Sequence, residues 1–208
     1  MARLSYLDVT DLEPEHKHLL RRNINLLRLM SQSPKGATAF HTMGQYIRHE
    51  SPLNPRLREM AILQVGYITR CVYEYTHHIK ISRDFGVSDE DIRAVAEETK
   101  GNATSLDALT QAVLRAAREM TQSFSATDST FEVLKAHLDN ESLTDLVLII
   151  SFYNAVVRFL ETMQIDNEPE YQALLADFPF DTDSFVPFNK LTNSRENSTV
   201  TRHPYQPT

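Results

Sequence analysis

Apolar residues recur every three or four positions along most of this chain, and nowhere do apolar and polar residues alternate long enough to demand a strand. Prolines punctuate only the two ends, with none between Pro55 and Pro169. A long proline-free tract with helical periodicity predicts an all-α domain. Glu13-Pro14, Ser33-Pro34 and Asn54-Pro55 each put a proline where a first helical residue is expected. Phe85-Gly86-Val87 and Lys100-Gly101 read as helix stops, followed by starts at Ser88-Asp-Glu-Asp91 and Thr104-Ser-Leu-Asp107. Ser129-Thr-Phe-Glu132 opens a shorter amphipathic helix, and Leu143, Leu146, Val147, Ile150, Tyr153, Val157 and Leu160 mark the last one. Eight helices result, over roughly 14–30, 34–49, 55–69, 70–85, 89–100, 105–122, 129–138 and 141–163.

Two of these helices carry chemistry. The stretch 55–69 is apolar nearly all round, with Arg56, Arg58, Glu59 and Gln64 as its polar exceptions. Glu59 and Gly66 share an azimuth, so a neighbouring helix can approach closely on the glutamate's side. A carboxylate held there must be paired, hydrogen-bonded or protonated, and an ion pair with Arg56 or Arg58 is the simplest reading. On the helix 70–85, residues Cys71, Glu74, Tyr75, His78, Ile81, Ser82 and Phe85 fall on one face. Two ionisable groups thus sit among residues that leave water, where desolvation and mutual charge shift pKa values most. His77 falls about 100° away with Tyr73, Lys80 and Asp84, on the side read as outer, and is assigned no role.

Composition narrows the partners. The net charge of −7, with no local Lys/Arg cluster, argues against nucleic acid or an anionic membrane, though it leaves an anionic small molecule open. A single cysteine excludes an intramolecular disulfide and any CxxC pair. The N-terminus has no apolar h-region, so the expected location is the cytoplasm, and the three Asn-x-Ser/Thr sequons carry no weight. The most apolar run, Leu146 to Leu160, reads as too short for a bilayer and as a core or subunit-contact helix. Glu74-x-x-x-His78 and the Glu-x-x-His pairs near the N-terminus have metal-site spacings. A di-iron bundle needs two such motifs in one core, and no metal is assigned. There is no glycine-rich phosphate loop and no GxSxG elbow. Residues 1–178 read as one helical domain. Residues 179–208 read as an irregular or disordered tail, whose phenylalanines offer the alternative of an arm packed on the body.

Leu53-Asn-Pro-Arg-Leu-Arg-Glu59-Met-Ala-Ile-Leu, Cys71-Val-Tyr-Glu74-Tyr-Thr-His-His78 and Phe85-Gly-Val-Ser-Asp-Glu-Asp-Ile92 together resemble the core of the carboxymuconolactone decarboxylase family. That family shares its helical fold with the AhpD-like alkylhydroperoxidases. The likeness is close over residues 34–100 and looser over 105–165. In the peroxidase branch the helix carries Cys-x-x-Cys-x-x-x-His, with a glutamate twelve residues before the first cysteine. This chain has Glu59, Cys71 and His78 at three of those positions and Glu74 at the second cysteine's, so cycling between two sulfurs is excluded. Tyr73-Glu74-Tyr75 looks like the decarboxylase branch, which usually has tryptophan in place of Tyr75.

The resemblance implies an AhpD-like all-α fold and a cofactor-independent carboxy-lyase, or a related isomerase, acting on a small unsaturated carboxylate or lactone. His78 is then the proton donor, with Glu74 or Glu59 setting its charge and orientation. Arg56 or Arg58 is the candidate for holding a carboxylate, and Cys71, Tyr75, Ile81 and Phe85 complete the pocket. It also implies a homotrimer or a hexamer. Two other readings remain open at this point: a one-cysteine thiol peroxidase using Cys71 with a depressed pKa, and a non-catalytic oligomeric binding protein.

Overall fold

In the computed structural model, which describes residues 1–181, the helices are α1 (Asn25–Met30), α2 (Pro34–Gln45), α3 (Pro55–Thr69), α4 (Val72–Arg83), α5 (Asp89–Lys100), α6 (Ala108–Ser123), α7 (Asp128–His137), α8 (Asn140–Met163) and α9 (Pro169–Gln172). Turns of 3₁₀ helix lie at Val9–Asp11, Pro14–Leu20 and Ala173–Ala176, and a π-helical turn, Tyr46–Glu50, extends α2. No strand occurs among the described residues, and the all-α class read from the sequence holds.

Several of the expected starts and stops form as read, whereas α6 begins from an Asp107 cap rather than at Thr104 and α7 from a Thr127 cap rather than at Ser129. Asn54 caps α3, its side-chain oxygen accepting from the N–H groups of Arg56 (2.9 Å) and Leu57 (3.4 Å), with Pro55 at the first helical position. Ser88 and Asp91 form a reciprocal capping box at the head of α5. Gly86 and Gly101 take φ values of 84° and 83° where α4 and α5 end. The helix expected over 14–30 does not form as one. It divides into the 3₁₀ turn Pro14–Leu20 and the short α1, with Arg21 to Ile24 between them. Leu12, Leu20 and Leu27 nevertheless pack into one small cluster, so the apolar spacing there serves two short elements rather than one long one.

α3 is the axis of the fold. It packs against α4, α5, α6 and α8, and it is buried continuously from Leu57 to Tyr67. One side joins the main core with α6 and α8 through Ala61, Ile62, Val65, Val113, Leu146 and Ile150. The other joins a second cluster with α4 and α5 through Met60, Leu63, Tyr67, Tyr75, Ile79 and Ile92. Helix α8 runs beyond the apolar segment Leu146–Leu160 to 24 residues, and by length and composition alone it would suit a bilayer. Its inner face, with Leu146, Ile149, Ile150 and Val157, is instead packed in the main core, and Asp145 and Asn154 are buried on it. Phe178 is buried in the second cluster and Phe180 packs against it, so the arm reaches the body at least this far. The rest of the tail reading, including Phe185 and Phe188, lies outside the described residues.

Gly66 is the contact on which the α3–α4 pair turns. A Cβ there would meet the backbone N of Tyr75 at 3.0 Å and its Cα at 3.1 Å, so the missing side chain lets α4 lie directly on α3. The connection is equally tight: Arg70 takes the left-handed conformation (φ 55°), and the Cys71 N–H returns to the Gly66 carbonyl at 3.1 Å. We therefore expect Gly66→Ala to destabilise the fold by about 1–3 kcal/mol, because the atoms that must yield are backbone. Urea denaturation checks this, and an unchanged midpoint would show that α4 can slide without cost.

Candidate active site

Glu59 of α3 and Glu74 and His78 of α4 meet where the two helices are pressed together. Glu59 Oε2 lies 2.7 Å from His78 Nδ1, and its other oxygen, Oε1, accepts from Arg58 Nε at 3.0 Å. His78 Nε2 lies 3.0 Å from Glu74 Oε1, an ion-pair distance, but out of line for a hydrogen bond, so Oε1 has no hydrogen-bond donor among the described residues. Arg58, Glu59, Glu74 and His78 are all at most 5% exposed. Two cations and two anions share one dry volume and neutralise one another. Burial works against charge on His78, but the two carboxylates outweigh it and hold the imidazolium up to about 9. Burial likewise opposes the Glu59 charge, and the adjoining His78 and Arg58 still hold that carboxyl below its usual range.

A cavity of about 240 Å³ opens beside this group. Glu74 and His78 line it from α4, Phe152, Tyr153 and Val156 from α8, and Arg48 from the π-helical turn. Arg22 and Leu26 close it from the N-terminal segment. Glu59 does not line it, so Glu59 holds His78 from behind while Glu74 is the carboxylate on the cavity side. Neither Arg22 nor Arg48 has an ion-pair partner among the described residues, and burial followed by the like charge of Arg48 lowers the pKa of Arg22. Arg48 is placed by its buried neighbour: Arg58 Nη1 donates to the carbonyls of Ile47 (3.4 Å) and Arg48 (3.2 Å) within the π turn. The Tyr153 ring stands edge-on to His78 (5.1 Å, 85°), and burial raises its hydroxyl, which stays protonated.

The structure brings together the three residues expected to be catalytic, and Ile81 lines the cavity as expected. The other candidates fall elsewhere. Tyr75 turns the opposite way into the second cluster, against Tyr67 at 5.5 Å, because α4 meets α3 through it. Cys71 is fully buried in the main core, and burial followed by the Glu74 charge pushes its thiol up, the reverse of what a reactive thiolate needs. Arg56, two residues and about 200° from Arg58, forks onto Asp91 (3.0 and 2.5 Å) and donates to Thr110 (3.1 Å), pinning α3 to α5 and α6. Arg58 is in the buried group but not in the cavity, and Phe85 serves as the face on which its guanidinium rests, at 4.3 Å.

Arg22, Arg48, His77 and Tyr153 also line the cavity, although none is expected there from the sequence. A signal existed for Arg48, since His41, Gln45 and Arg48 share a helical face. Tyr153 sat at core spacing in the most apolar helix, and nothing local distinguishes it from packing. His77 and Tyr73 were read as outer. They are buried because chain segments distant in sequence cover them, including Tyr171, whose ring stacks on His77. Among the described residues no group of three or more His, Cys, Asp or Glu has metal-site geometry.

Residues 34–119, from α2 through most of α6, match the Carboxymuconolactone decarboxylase family. The match covers less than half of the chain, and the fold is AhpD-like. The family segment contains Arg48, Arg58, Glu59, Glu74 and His78, whereas Arg22 and Tyr153 come from outside it. An uncharacterized peroxidase-related protein from Ralstonia eutropha JMP134, described as an alkylhydroperoxidase AhpD core, superposes with a TM-score of 0.71 at 18% identity, covering 82% of this chain and 94% of that one. A peroxidase-related protein from Silicibacter sp. TM1040 gives 0.67 at 20% identity, covering 82% and 95%. The debrominase Bmp8 in its apo form gives 0.73 at 19% identity, covering 85% and 97%. At these identities the likeness shows the fold alone. No curated protein matches the chain significantly.

The His78 charge has a measurable consequence. Its pKa is raised from 6.5 to about 9 in the folded state, so its contribution is fully present below pH 6.5 and is lost as the pH rises through about 9. The shift corresponds to roughly 3 kcal/mol. Glu59, whose pKa is depressed, acts in the other direction: its contribution is lost as the pH falls through its lowered pKa. Urea midpoints should therefore fall from neutral pH to about pH 10, and His78→Gln should flatten that limb. An equal alkaline fall in both proteins would place its cause elsewhere.

Proposed function

We propose that this protein is a cofactor-independent enzyme that uses the Glu59–His78–Glu74 group for acid–base chemistry on a small unsaturated carboxylate or lactone. Decarboxylation is the reaction that the group supports best. The observation that carries this reading is the His78 imidazole, held between two carboxylates at the wall of a cavity lined by two arginines that have no ion-pair partner among the described residues.

The roles follow from position. Arg22 and Arg48 hold a carboxylate that the ligand keeps, the part first expected of Arg56 or Arg58. As the carbon–carbon bond to the departing CO₂ breaks, its electron pair enters the conjugated double bond and comes to rest on the carbonyl oxygen as an enolate. The protonated Tyr153 hydroxyl can donate to that oxygen. A carbon of the enolate then takes a proton from the His78–Glu74 pair, while Glu59 steadies the ring through Nδ1. Ile81, Phe40, Phe152 and Val156 give the cavity apolar walls, which favour losing a carboxylate charge. A single-cysteine peroxidase is the weaker reading, because Cys71 is buried away from the cavity with a raised pKa.

Carboxylated unsaturated lactones, assayed by CO₂ release, test the proposal. His78→Gln should lose at least about 10²-fold in kcat with an unchanged circular dichroism spectrum. Arg48→Gln should raise KM by about tenfold or more with less effect on kcat. Full turnover by folded His78→Gln would end this reading. We also propose a homo-oligomer, trimer or hexamer, supported by the exposed Val147 and Leu148 on α8. Light scattering should give a mass of at least three chains at micromolar concentration, and a monomer contradicts it.

A further inference from the structure

His77 lines the same cavity as His78, yet the chemistry above does not use it. Its imidazole lies between two tyrosine rings, Tyr73 at 4.1 Å and Tyr171 at 3.6 Å, each within 12° of parallel. Nε2 lies 2.8 Å from Glu168 Oε2. The other oxygen of Glu168 accepts from the Asn25 N–H at 2.7 Å and from the Tyr73 hydroxyl at 3.3 Å. Burial opposes the charge on Glu168, but the bonds from His77 and Asn25 hold that carboxyl below its ordinary range.

With Glu168 ionised, the ring proton belongs on Nε2, and a neutral imidazole then carries its lone pair on Nδ1. Nδ1 makes no hydrogen bond to any described residue. Both ring faces are covered and the Nε2 corner is taken, so the ring meets the cavity by an edge. A clamp for the segment carrying Glu168 and Tyr171 needs only the stacking. A carboxylate that orients the imidazole while leaving one nitrogen free is the arrangement of a base.

We propose that His77, oriented by Glu168, is a base that takes a carbon-bound proton from the ligand in this cavity. The cavity then holds an acid and a base and can move a double bond in an unsaturated lactone or carboxylate. The inference rests on the reading of His78 as the acid. The balance is simple. The proton beside the carbonyl passes to His77 Nδ1, and the C–H electron pair forms a dienolate. The far carbon of the dienolate takes a proton from the His78–Glu74 pair, so the double bond shifts by one position. No atom or electron is gained or lost, and solvent returns both histidines to their starting states.

The full-length protein in D₂O with α-angelica lactone, a β,γ-unsaturated lactone, tests this by proton NMR. Enzyme-dependent deuterium entry at the α-carbon should slow at least tenfold in His77→Gln and in Glu168→Gln. His78→Gln should retain α-exchange and lose the shifted product. Equal α-exchange in wild type and His77→Gln, with His78→Gln impaired, overturns the inference and leaves the His78 reading intact. A fully active His78→Gln overturns the reading itself. Should His77→Gln fold poorly, ¹⁵N spectra of the wild-type imidazoles decide independently. Crotonate should shift the Nδ1 resonance of His77, and a resonance that does not move overturns the proposal even where no turnover is seen.

Discussion

Four charges buried in one helix contact are the constraint to which the rest of this structure answers. α3 is enclosed on nearly every side, so Arg58 and Glu59 cannot reach water and must be satisfied by what packs on them. His78 meets that need for Glu59, Glu74 balances His78, and Arg58 balances Glu59. Removing any member leaves a charge in a dry place, which costs several kcal/mol. The same arrangement raises the imidazole of His78 well above its ordinary pKa, so the atoms that satisfy the buried charges are also those of the proposed proton donor.

Gly66 and Arg58 carry that local solution outward. Gly66 lets the α4 backbone touch α3 at Tyr75, which sets the rotation of α4 and turns Glu74, His77, His78 and Ile81 toward the cavity. Arg58 Nη1 donates to the Ile47 and Arg48 carbonyls within the π turn, so the group behind His78 also sets the turn that bears Arg48. The charge balance in the core and the arginine in the cavity are thereby coupled through one side chain. π-helical turns of this kind are rare and often stand at functional sites, because the extra residue re-aims the side chains that follow it.

The cavity joins two sources. The matched family segment supplies His78, its carboxylates and Arg48, while the N-terminal segment, α8 and the segment after it supply Arg22, Tyr153 and the Glu168–Tyr171 cover over His77. Those outer pieces set how much positive charge faces the ligand and whether a second imidazole is available. Chemistry on a shared helical frame can change through such covering segments while the central pair stays the same.

Helical periodicity, proline placement and capping chemistry made the fold class and most of α2 to α8 legible, because these signals are local. The grouping of Glu59, Glu74 and His78 was legible for a similar reason: spacing on two adjacent helices, with a glycine to bring them together, leaves few other arrangements. Local spacing could not give the rotation of α4. The stripe containing Tyr75 and the one containing His77 are both amphipathic enough to face inward, and the Tyr75–Gly66 contact decides between them. Arg22, Tyr153 and Glu168 lie far apart in sequence and meet only through chain reversal. The sequence by itself therefore determined an all-α frame and a buried acid–base pair. Only the tertiary structure decided which side of α4 faces the cavity and which cations line it, since both depend on packing between residues that no short-range pattern connects.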